Sequence, residues 1–253
     1  MSEITRRKLI TTGLAAAAGA TGVLFAAKLA QRHGLIAPDA GVRYGTGEAL
    51  TYAAQRVLGS HAKAREFSRS QISKDPFANE VGRLGDKFKR LQDGGFVDWR
   101  LTVDGMAARP TTFSLAEIRS FSTSSQITMI GCEEGWTYIA EWAGVPLSYI
   151  LDRVGALPRV RYVVYRSFQH GWWDSIDMSD ALHPQTLVAT GMNGTDLPVP
   201  FGGPLRMRVP RQLGYKNIKY LNQLTLTDNP KPFGKGGTGG SSSDAGYAWY
   251  AGI

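Results

Sequence analysis

The chain has 253 residues, of which 43% are hydrophobic and 20% are charged, so it can bury a sizeable core and is neither disordered nor fibrous. It contains a single cysteine, Cys132, which excludes the disulfide framework of small secreted proteins. The net charge of +8 is spread along the chain without a basic block. Nucleic acid is therefore not expected as a partner, because phosphate binding needs clustered cations.

Residues 1–40 predict an export signal. Arg6, Arg7 and Lys8 precede an apolar run over residues 9–27, as a charged n-region precedes an apolar h-region. The paired arginines resemble a twin-arginine signal, which would send the folded protein to the bacterial periplasm. An ordinary secretory peptide and a residual membrane anchor are alternatives, since the run is rich in Ala and Gly and has no unambiguous A-x-A cleavage site.

Residues 41–95 predict an N-terminal extension. Apolar residues at helical spacing predict a helix over residues 50–68, whereas residues 71–95, rich in Gly, Asp and Lys, predict an irregular segment. At the other end, residues 229–253 form a Gly/Ser-rich tail that ends in "YAWYAGI". We expect those aromatic rings to dock on the body of the protein.

Residues 96–228 predict an α+β domain, a mixed β-rich fold with short helices and long loops that carry the site. In chain order the patterns are a strand in "VDWRLTVDG", a helix in "FSLAEIRSF" capped by Ser114, a strand in "QITMIGC", a Gly-Val-Pro turn, and a helix in "PLSYILDRVG" between Pro146 and Gly155. A strand in "RVRYVVYRSF", a helix in "MSDALHP" begun by Ser179, and strands in "PLRMRVP" and "IKYLNQLTLT" follow.

Cys132 directly follows the strand "QITMIGC", and three roles are open to it. It can be a small buried hydrophobe, a nucleophile, or one thiolate ligand of a soft metal whose other ligands belong to a cofactor. His170 and His183 are the histidines of the predicted domain, but neither belongs to a recognisable cysteine-hydrolase signature, and zinc-site spacings are absent. An anionic cofactor would find cations and small-residue turns at Gly202, Gly203, Arg206, Arg208, Arg211, Gly214, Lys216 and Lys219.

Several spaced motifs carry a resemblance to a known family. "DWRLTVDG", "IGCEEGWTYIAEWAGVPLSYIL" and the long stretch from "DALHPQTL" to "NIKYLNQLTL" are similar, in that order, to the molybdopterin-binding domain of the sulfite oxidase family. The similarity covers about residues 96–226 and is closer to the exported bacterial members, which include periplasmic methionine sulfoxide reductase catalytic subunits. It implies a mononuclear molybdenum held by one pterin dithiolene, oxo ligands and Cys132, and oxygen-atom transfer to or from a small S-oxide or sulfur compound.

The resemblance also implies roles for individual residues. Glu134 matches a carboxylate close to the metal, whereas Glu133 is expected to be solvated. The expected cofactor contacts are Asn79, Ser167, Arg206, Asn217, Ile218 and Lys219, the Asn217 and Ile218 contacts coming from the backbone. Arg suits a bidentate phosphate contact and Lys a point charge. For Arg208, Arg211 and Lys216 a cofactor contact and a strand-end charge facing water both remain open.

Some positions depart from the family pattern. "EEGW" follows Cys132 where animal and plant sulfite oxidases carry Asn and Arg, and a carboxylate there would repel sulfite. Phe201 replaces a polar residue, and His170 faces either the substrate opening or solvent. A sulfite dehydrogenase and a noncatalytic cofactor-binding domain are the alternatives. Because no C-x-x-C-H heme motif occurs in this chain, electrons would pass to a separate membrane or c-type cytochrome.

Overall fold

The computed structural model describes residues 35–40, 46–59, 61–79, 82–234 and 239–253. The predicted export signal falls almost entirely in residues 1–34, outside these ranges. Among the helices described, none has the length and apolar character needed to cross a membrane.

The described residues form short helices and ten strands. The helices are α1 (Thr46–Leu58), α2 (Gly85–Asp93), α3 (Leu115–Ser120), α4 (Leu147–Val154), α5 (Met178–Ala181) and α6 (Ser241–Asp244), with 3₁₀ turns at Arg69–Gln71, Val199–Phe201 and Gly214–Lys216. The strands are β1 (Arg100–Gly105), β2 (Thr111–Ser114), β3 (Ser124–Gly131), β4 (Thr137–Pro146), β5 (Tyr162–Ser167), β6 (Trp173–Asp177), β7 (Leu187–Met192), β8 (Thr195–Asp196), β9 (Arg206–Arg208) and β10 (Leu221–Thr227).

The strands build two sheets. One has the order β2-β1-β10-β5-β6, with β1 parallel to β10 and the other pairs antiparallel. The other has the order β3-β4-β7-β8, with β9 also paired to β7. The main core contains buried residues from both sheets and from α4, among them Leu101, Val163, Val188 and Ile150. The mixed β-rich fold predicted from the sequence is confirmed.

Local sequence signals fix several element boundaries. Ser114 caps α3 through a reciprocal capping box with Glu117, since the Ser114 Oγ accepts from the Glu117 N–H and the Glu117 carboxylate accepts from the Ser114 N–H at 2.7 Å. Gly155 ends α4 in the left-handed conformation, at φ 65°, which glycine adopts without steric cost.

Three local predictions are wrong. Residues 71–95 contain helix α2, which is favoured because Phe88 is buried against the rings of Trp99 and Tyr220. The Gly-Val-Pro segment is the end of β4, where Val145 pairs with Val188 of β7 instead of turning. Helix α5 is capped by Asp177, whose Oδ1 accepts from the Asp180 N–H at 3.0 Å, so the helix begins before Ser179.

Helix α1 is also shorter than the predicted span 50–68. It ends at Leu58, and the following chain leaves the helix to form an isolated antiparallel bridge between Glu66 and Thr128 of β3.

The aromatic end of the chain is buried. Trp249 is 1% exposed and packs with Tyr250 against Tyr52 of α1 and Ala37. The Trp249 indole N–H donates to Ser175 Oγ at 2.7 Å. The Ala251 carbonyl of the same segment accepts from the Leu213 N–H at 2.9 Å. The C-terminal segment therefore contacts both helix α1 and the loop before residue 214.

Candidate active site

One cleft opens where β3 and β5 end and the 206–219 segment returns. It is lined by all eight residues that the sequence assigned to the site, namely Asn79, Cys132, Glu134, Ser167, Arg206, Asn217, Ile218 and Lys219. His170 is exposed and does not line the cleft. The structure therefore brings together residues that are up to 140 positions apart in the chain.

Cys132 directly follows β3 and begins a tight turn. The Cys132 N–H donates to the Trp136 carbonyl at 2.9 Å and the Gly135 N–H donates to the Cys132 carbonyl at 3.0 Å. Gly135 has a φ of 92°, which a residue with a Cβ rarely adopts. The turn places the thiol in the cleft and is a reason for glycine in "CEEGW".

Two carboxylates lie next to the thiol. The Cys132 Sγ donates to Glu133 Oε2 at 3.1 Å and lies 3.9 Å from Glu134 Oε2. Burial, together with the Glu133 and Glu134 charges, raises the pKa of Cys132 to about 12. A nucleophilic cysteine needs the opposite shift, whereas a bound metal cation would deprotonate a coordinating thiol outright. The environment favours a ligand over a nucleophile.

The two glutamates differ from the expectation for them. Glu133, expected to be solvated, is partly buried and has the shorter contact to Cys132. Glu134 is exposed, and its Oε2 accepts from the Trp136 indole N–H at 2.6 Å. Both glutamates lie in the turn that the Cys132 N–H to Trp136 carbonyl hydrogen bond closes.

Arg206 and Lys219 bring positive charge into the cleft. Arg206 is 3% exposed and donates to the carbonyls of Asn217 (3.0 Å) and Phe201 (2.9 Å). Lys219 is 8% exposed and donates to the carbonyls of Asn79 (2.9 Å) and Pro200 (2.6 Å). Neither takes part in an ion pair among the described residues. Burial and the neighbouring Arg206 lower the pKa of Lys219 to about 7.

Asn217 and Ile218 offer mainly backbone to the cleft. The Asn217 side chain is fully engaged, since its Oδ1 accepts from Arg208 Nη1 and from the Val209 N–H, both at 2.7 Å, and its Nδ2 donates to the Leu213 carbonyl at 3.0 Å. Ser167 ends β5, and its Oγ accepts from the Gln169 N–H at 3.0 Å.

Glycines allow the close approach of the segments that line the cleft. A Cβ on Gly214 would lie 3.3 Å from both the Cα and the Cβ of Cys132. Gly202 has a φ of 106°, and a Cβ there would lie 2.9 Å from the Lys219 side chain. A side chain at either position would push the cation-bearing segment away from the thiol or from its own lysine.

Two cations that the sequence left unassigned are structural. Arg211 pairs with Asp180 at 3.4 Å and donates to the Gly59 carbonyl at 2.6 Å. Lys216 is fully buried and forms an ion pair with Asp174. Both partners are far away in sequence, so the chain alone did not reveal them.

Aromatic side chains that the sequence did not single out form part of the cleft wall. Trp136, Trp172 and Tyr215 line it, and Trp172 is 48% exposed. Trp136 stacks on Tyr138, with ring centroids 5.8 Å apart, and also contacts Phe77. The available signal was the Gly-Trp pair that follows each of two strand ends, at residues 135–136 and 171–172.

The residues present fit an anionic pterin cofactor with a thiolate-bound metal. Buried cations without carboxylate partners need an anion to offset the cost of their burial. The glycines leave room for backbone contacts, and the single thiol opens into the same cleft.

Comparison with known proteins agrees with this chemistry. The profile of the family "Oxidoreductase molybdopterin binding domain" matches residues 91–233. YedZ1 of Azospira oryzae, provisionally named a protein-methionine-sulfoxide reductase subunit, is 38% identical over 186 residues, which are 74% of this chain and 66% of that protein. The catalytic subunit MsrP of protein-methionine-sulfoxide reductase from Xanthomonas campestris is 32% identical over 145 residues, 51% of this chain and 45% of MsrP.

A solved structure shows the same fold. The sulfane dehydrogenase SoxCD of Paracoccus pantotrophus superposes with a TM-score of 0.51 at 19% identity, over 67% of this chain and 46% of that one. The chain thus spans between about half and two thirds of the length of the curated relatives it matches. The profile match, the fold and the chemistry of the cleft together show that this chain belongs to the family of oxidoreductase molybdopterin-binding domains.

Proposed function

We propose that the chain binds Mo-molybdopterin in the Cys132 cleft and reduces an organic S-oxide by oxygen-atom transfer, with electrons supplied by a separate redox protein. One observation carries the proposal. The chain's one thiol lies in the same cleft as two buried cations that form no ion pair among the described residues. When bound, the cofactor supplies two-electron redox chemistry between Mo(VI) and Mo(IV).

Different residues of the cleft would bind different parts of the cofactor. Cys132 would be the protein ligand of the metal. Arg206 and Lys219, aided by the backbone of residues 217–218, would hold the phosphate and pterin, and Ser167 and Asn79 would contact the pterin from the facing segments. The buried cations are stabilised when the phosphate arrives, because their charge is then paired in a site of low dielectric.

The walls of the cleft favour an organic sulfoxide over sulfite. Trp136 and Trp172 offer aromatic surface, which makes favourable contacts with sulfur and with the methyl groups of a thioether. Glu133 and Glu134 place negative charge near the thiol, which opposes the approach of a sulfite anion. The names of YedZ1 and MsrP, which refer to methionine sulfoxide, support the same choice.

The reaction consumes protons that the chain must deliver. Breaking the S–O bond of the sulfoxide takes up two electrons and two protons and releases a thioether and water. Glu134 is exposed and held by the Trp136 indole N–H, so its carboxylate is placed to carry protons between solvent and the cleft.

A substrate panel tests this function. The full chain, expressed in a molybdenum-replete host, is assayed for molybdenum and pterin content and for oxidation of a reduced viologen dye by methionine sulfoxide, dimethyl sulfoxide and trimethylamine N-oxide. Sulfite is tested with a dye acceptor. We expect stoichiometric molybdenum and turnover with the sulfoxides. Turnover with sulfite alone would favour the sulfite dehydrogenase, and protein without molybdenum and pterin would contradict the enzyme.

The proposal includes export to the periplasm and a cytochrome as electron donor. The support is the sequence pattern around Arg6 and Arg7, because the twin-arginine route exports proteins already folded and hence already loaded with cofactor. Cell fractionation of an Arg6→Lys, Arg7→Lys double variant tests it. We expect the variant in the cytoplasm and the wild type in the periplasm; equal fractions would contradict twin-arginine export.

A further inference from the structure

Arg208 is a buried cation that no cofactor contact explains. It is 0% exposed, it is absent from the residues that line the cleft, and it forms no ion pair among the described residues. Its guanidinium lies 5.2 Å from the ring centroid of Trp142, and its buried Nε has no acceptor. Burying such a side chain without a charge partner costs stability. An apolar residue at this position would avoid that cost but could not make the hydrogen bonds of Arg208.

The contacts of Arg208 join two of the segments that lead into the cleft. On one side, Nη2 donates to the Met129 carbonyl at 2.6 Å and to Thr128 Oγ1 at 3.1 Å. Both residues belong to β3, which ends directly before Cys132. On the other side, Nη1 donates to Asn217 Oδ1 at 2.7 Å. One planar group thus connects the strand of the thiol to the segment of the cofactor contacts.

Asn217 passes this connection on to the cleft. Its carbonyl accepts from Arg206 Nε at 3.0 Å, and it ends the 3₁₀ turn Gly214–Lys216. Gly214, at the start of that turn, lies against Cys132 so closely that a Cβ would meet it at 3.3 Å. The spacing between the thiol and residues 217–219 therefore depends on where Arg208 holds Asn217.

We propose that Arg208 is a positioning residue that fixes β3, and with it Cys132, at a set distance from the cofactor-binding segment 217–219. The inference rests on the proposed function, since that function makes both segments parts of one cofactor site. Arginine suits the role because its rigid fork donates in two directions at once, whereas the ammonium of lysine is a single point that cannot reach both segments from the same stem.

The test uses the chain's single cysteine as a reporter. The full chain is purified without cofactor from a host that cannot make molybdopterin, and the rate at which a small neutral maleimide modifies Cys132 is measured together with the thermal unfolding midpoint. The variants are Arg208→Met, which keeps length and apolar packing, and Arg208→Lys, which keeps charge. Arg56→Met is the control, because Arg56 is another buried arginine, 7% exposed, that binds Asp177 and Asp180 instead.

We expect Arg208→Met to unfold at or above the wild-type temperature and yet to react about 10-fold faster at Cys132, because the two segments are no longer held together. In the molybdenum-replete host Arg208→Met should retain about 10-fold less cofactor than the wild type. Arg208→Lys should label more slowly than Arg208→Met and should retain more cofactor than it. Arg56→Met should unfold at a lower temperature with the wild-type labelling rate.

Labelling of Arg208→Met at the wild-type rate would overturn the proposal. So would faster labelling of Arg56→Met by the same factor, since that would show general loosening. If Arg208→Met does not fold, the labelling rate of Arg208→Lys, compared with the rates of the wild type and of Arg56→Met, decides in its place. Because the labelling uses cofactor-free protein, a wild type that lacks molybdenum would refute the proposed function without touching this result.

Discussion

Two groups of buried charge in this protein are built in opposite ways. In the first group, which includes Arg56 of α1 and which we call the α1 seat, each cation has an acidic partner: Arg56 with Asp177 and Asp180, Arg211 with Asp180, and Lys216 with Asp174. In the cleft, Arg206 and Lys219 have no carboxylate partner among the described residues, and neither has Arg208, which does not line the cleft. The difference between the groups concerns what offsets the buried charge in each of them.

The comparison teaches which charges belong to the fold and which belong to the site. In the α1 seat the desolvation of each cation is offset inside the chain. In the cleft the offset is missing, and the lowered pKa values of Arg206 and Lys219, caused first by burial, report it. An anionic ligand is the natural partner of the second group, and substitutions should therefore act on stability in one group and on cofactor binding in the other.

The largest effect on stability is expected in the α1 seat. Asp180→Asn leaves Arg56 and Arg211 short of a charge partner and changes the acceptor of the Gln212 amide. Breaking one partner of a buried pair costs about 3–5 kcal/mol. Denaturant unfolding of the variant measures this. A loss below about 1 kcal/mol, the range of exposed pairs, would show that the seat is not a paired cluster.

In the cleft, Arg206→Met should act mainly on the cofactor. In the proposed function Arg206 binds the cofactor phosphate, so we expect about 10- to 100-fold weaker cofactor retention in the variant. The stability of the cofactor-free chain should change by less than about 1.5 kcal/mol, because removing an unpaired charge offsets the loss of two hydrogen bonds. Molybdenum content and denaturant unfolding measure the two effects. A variant that is strongly destabilised but fully loaded would contradict the contrast.

The sequence could predict the elements whose signals are local. The α3 capping box between Ser114 and Glu117 lies within four residues, and Gly155 ends α4 by its own conformation. Helix α2 was missed because one buried residue, Phe88, holds it against distant rings. Strand β6, "WDSID", was missed because all five of its residues are buried, three of them polar, so no alternation of polar and apolar residues marks it.

The site was predictable to the extent that its motifs are contiguous. The resemblance over residues 96–226 led to seven of the residues that line the cleft, and the upstream stretch "PFANEVG" led to Asn79. It could not separate the structural cations from the cofactor-binding ones, because their partners are distant in the chain. Asp180 lies 31 positions from Arg211, Asp174 lies 42 from Lys216, and Thr128 lies 80 from Arg208. It implied that Glu133 is solvated, whereas Glu133 is partly buried and Glu134 is exposed.

The pH dependence of stability should separate the two groups further. Lys219 has its pKa lowered from 10.5 to about 7 in the folded chain, so between these values the unfolded state binds more protons than the folded state. The stability cost of burying charged Lys219 is full below about pH 7 and disappears as the pH rises towards 10.5. In Lys219→Met this rise should be absent from cofactor-free protein, as unfolding midpoints from pH 6 to 10 would show.

The smallest effect is expected from the carboxylates beside the thiol. Glu134→Gln keeps an oxygen for the Trp136 indole N–H and removes one charge 3.9 Å from Cys132 Sγ. We expect a loaded protein with a changed Mo(V) EPR signal, and a greater change in Glu133→Gln because Glu133 lies at 3.1 Å. If both variants give the wild-type Mo(V) EPR spectrum, neither glutamate lies close enough to the metal to affect it.

The molybdenum content of Cys132→Ser tests the central claim most directly. Wild type and variant are purified from the same molybdenum-replete host, checked for folding by circular dichroism, and compared by elemental analysis and sulfoxide turnover. A thiolate ligand of the metal predicts a folded variant that has lost its sulfoxide turnover and at least most of its molybdenum. A folded Cys132→Ser protein with full molybdenum and full turnover would contradict the assignment of Cys132 and of the cleft around it.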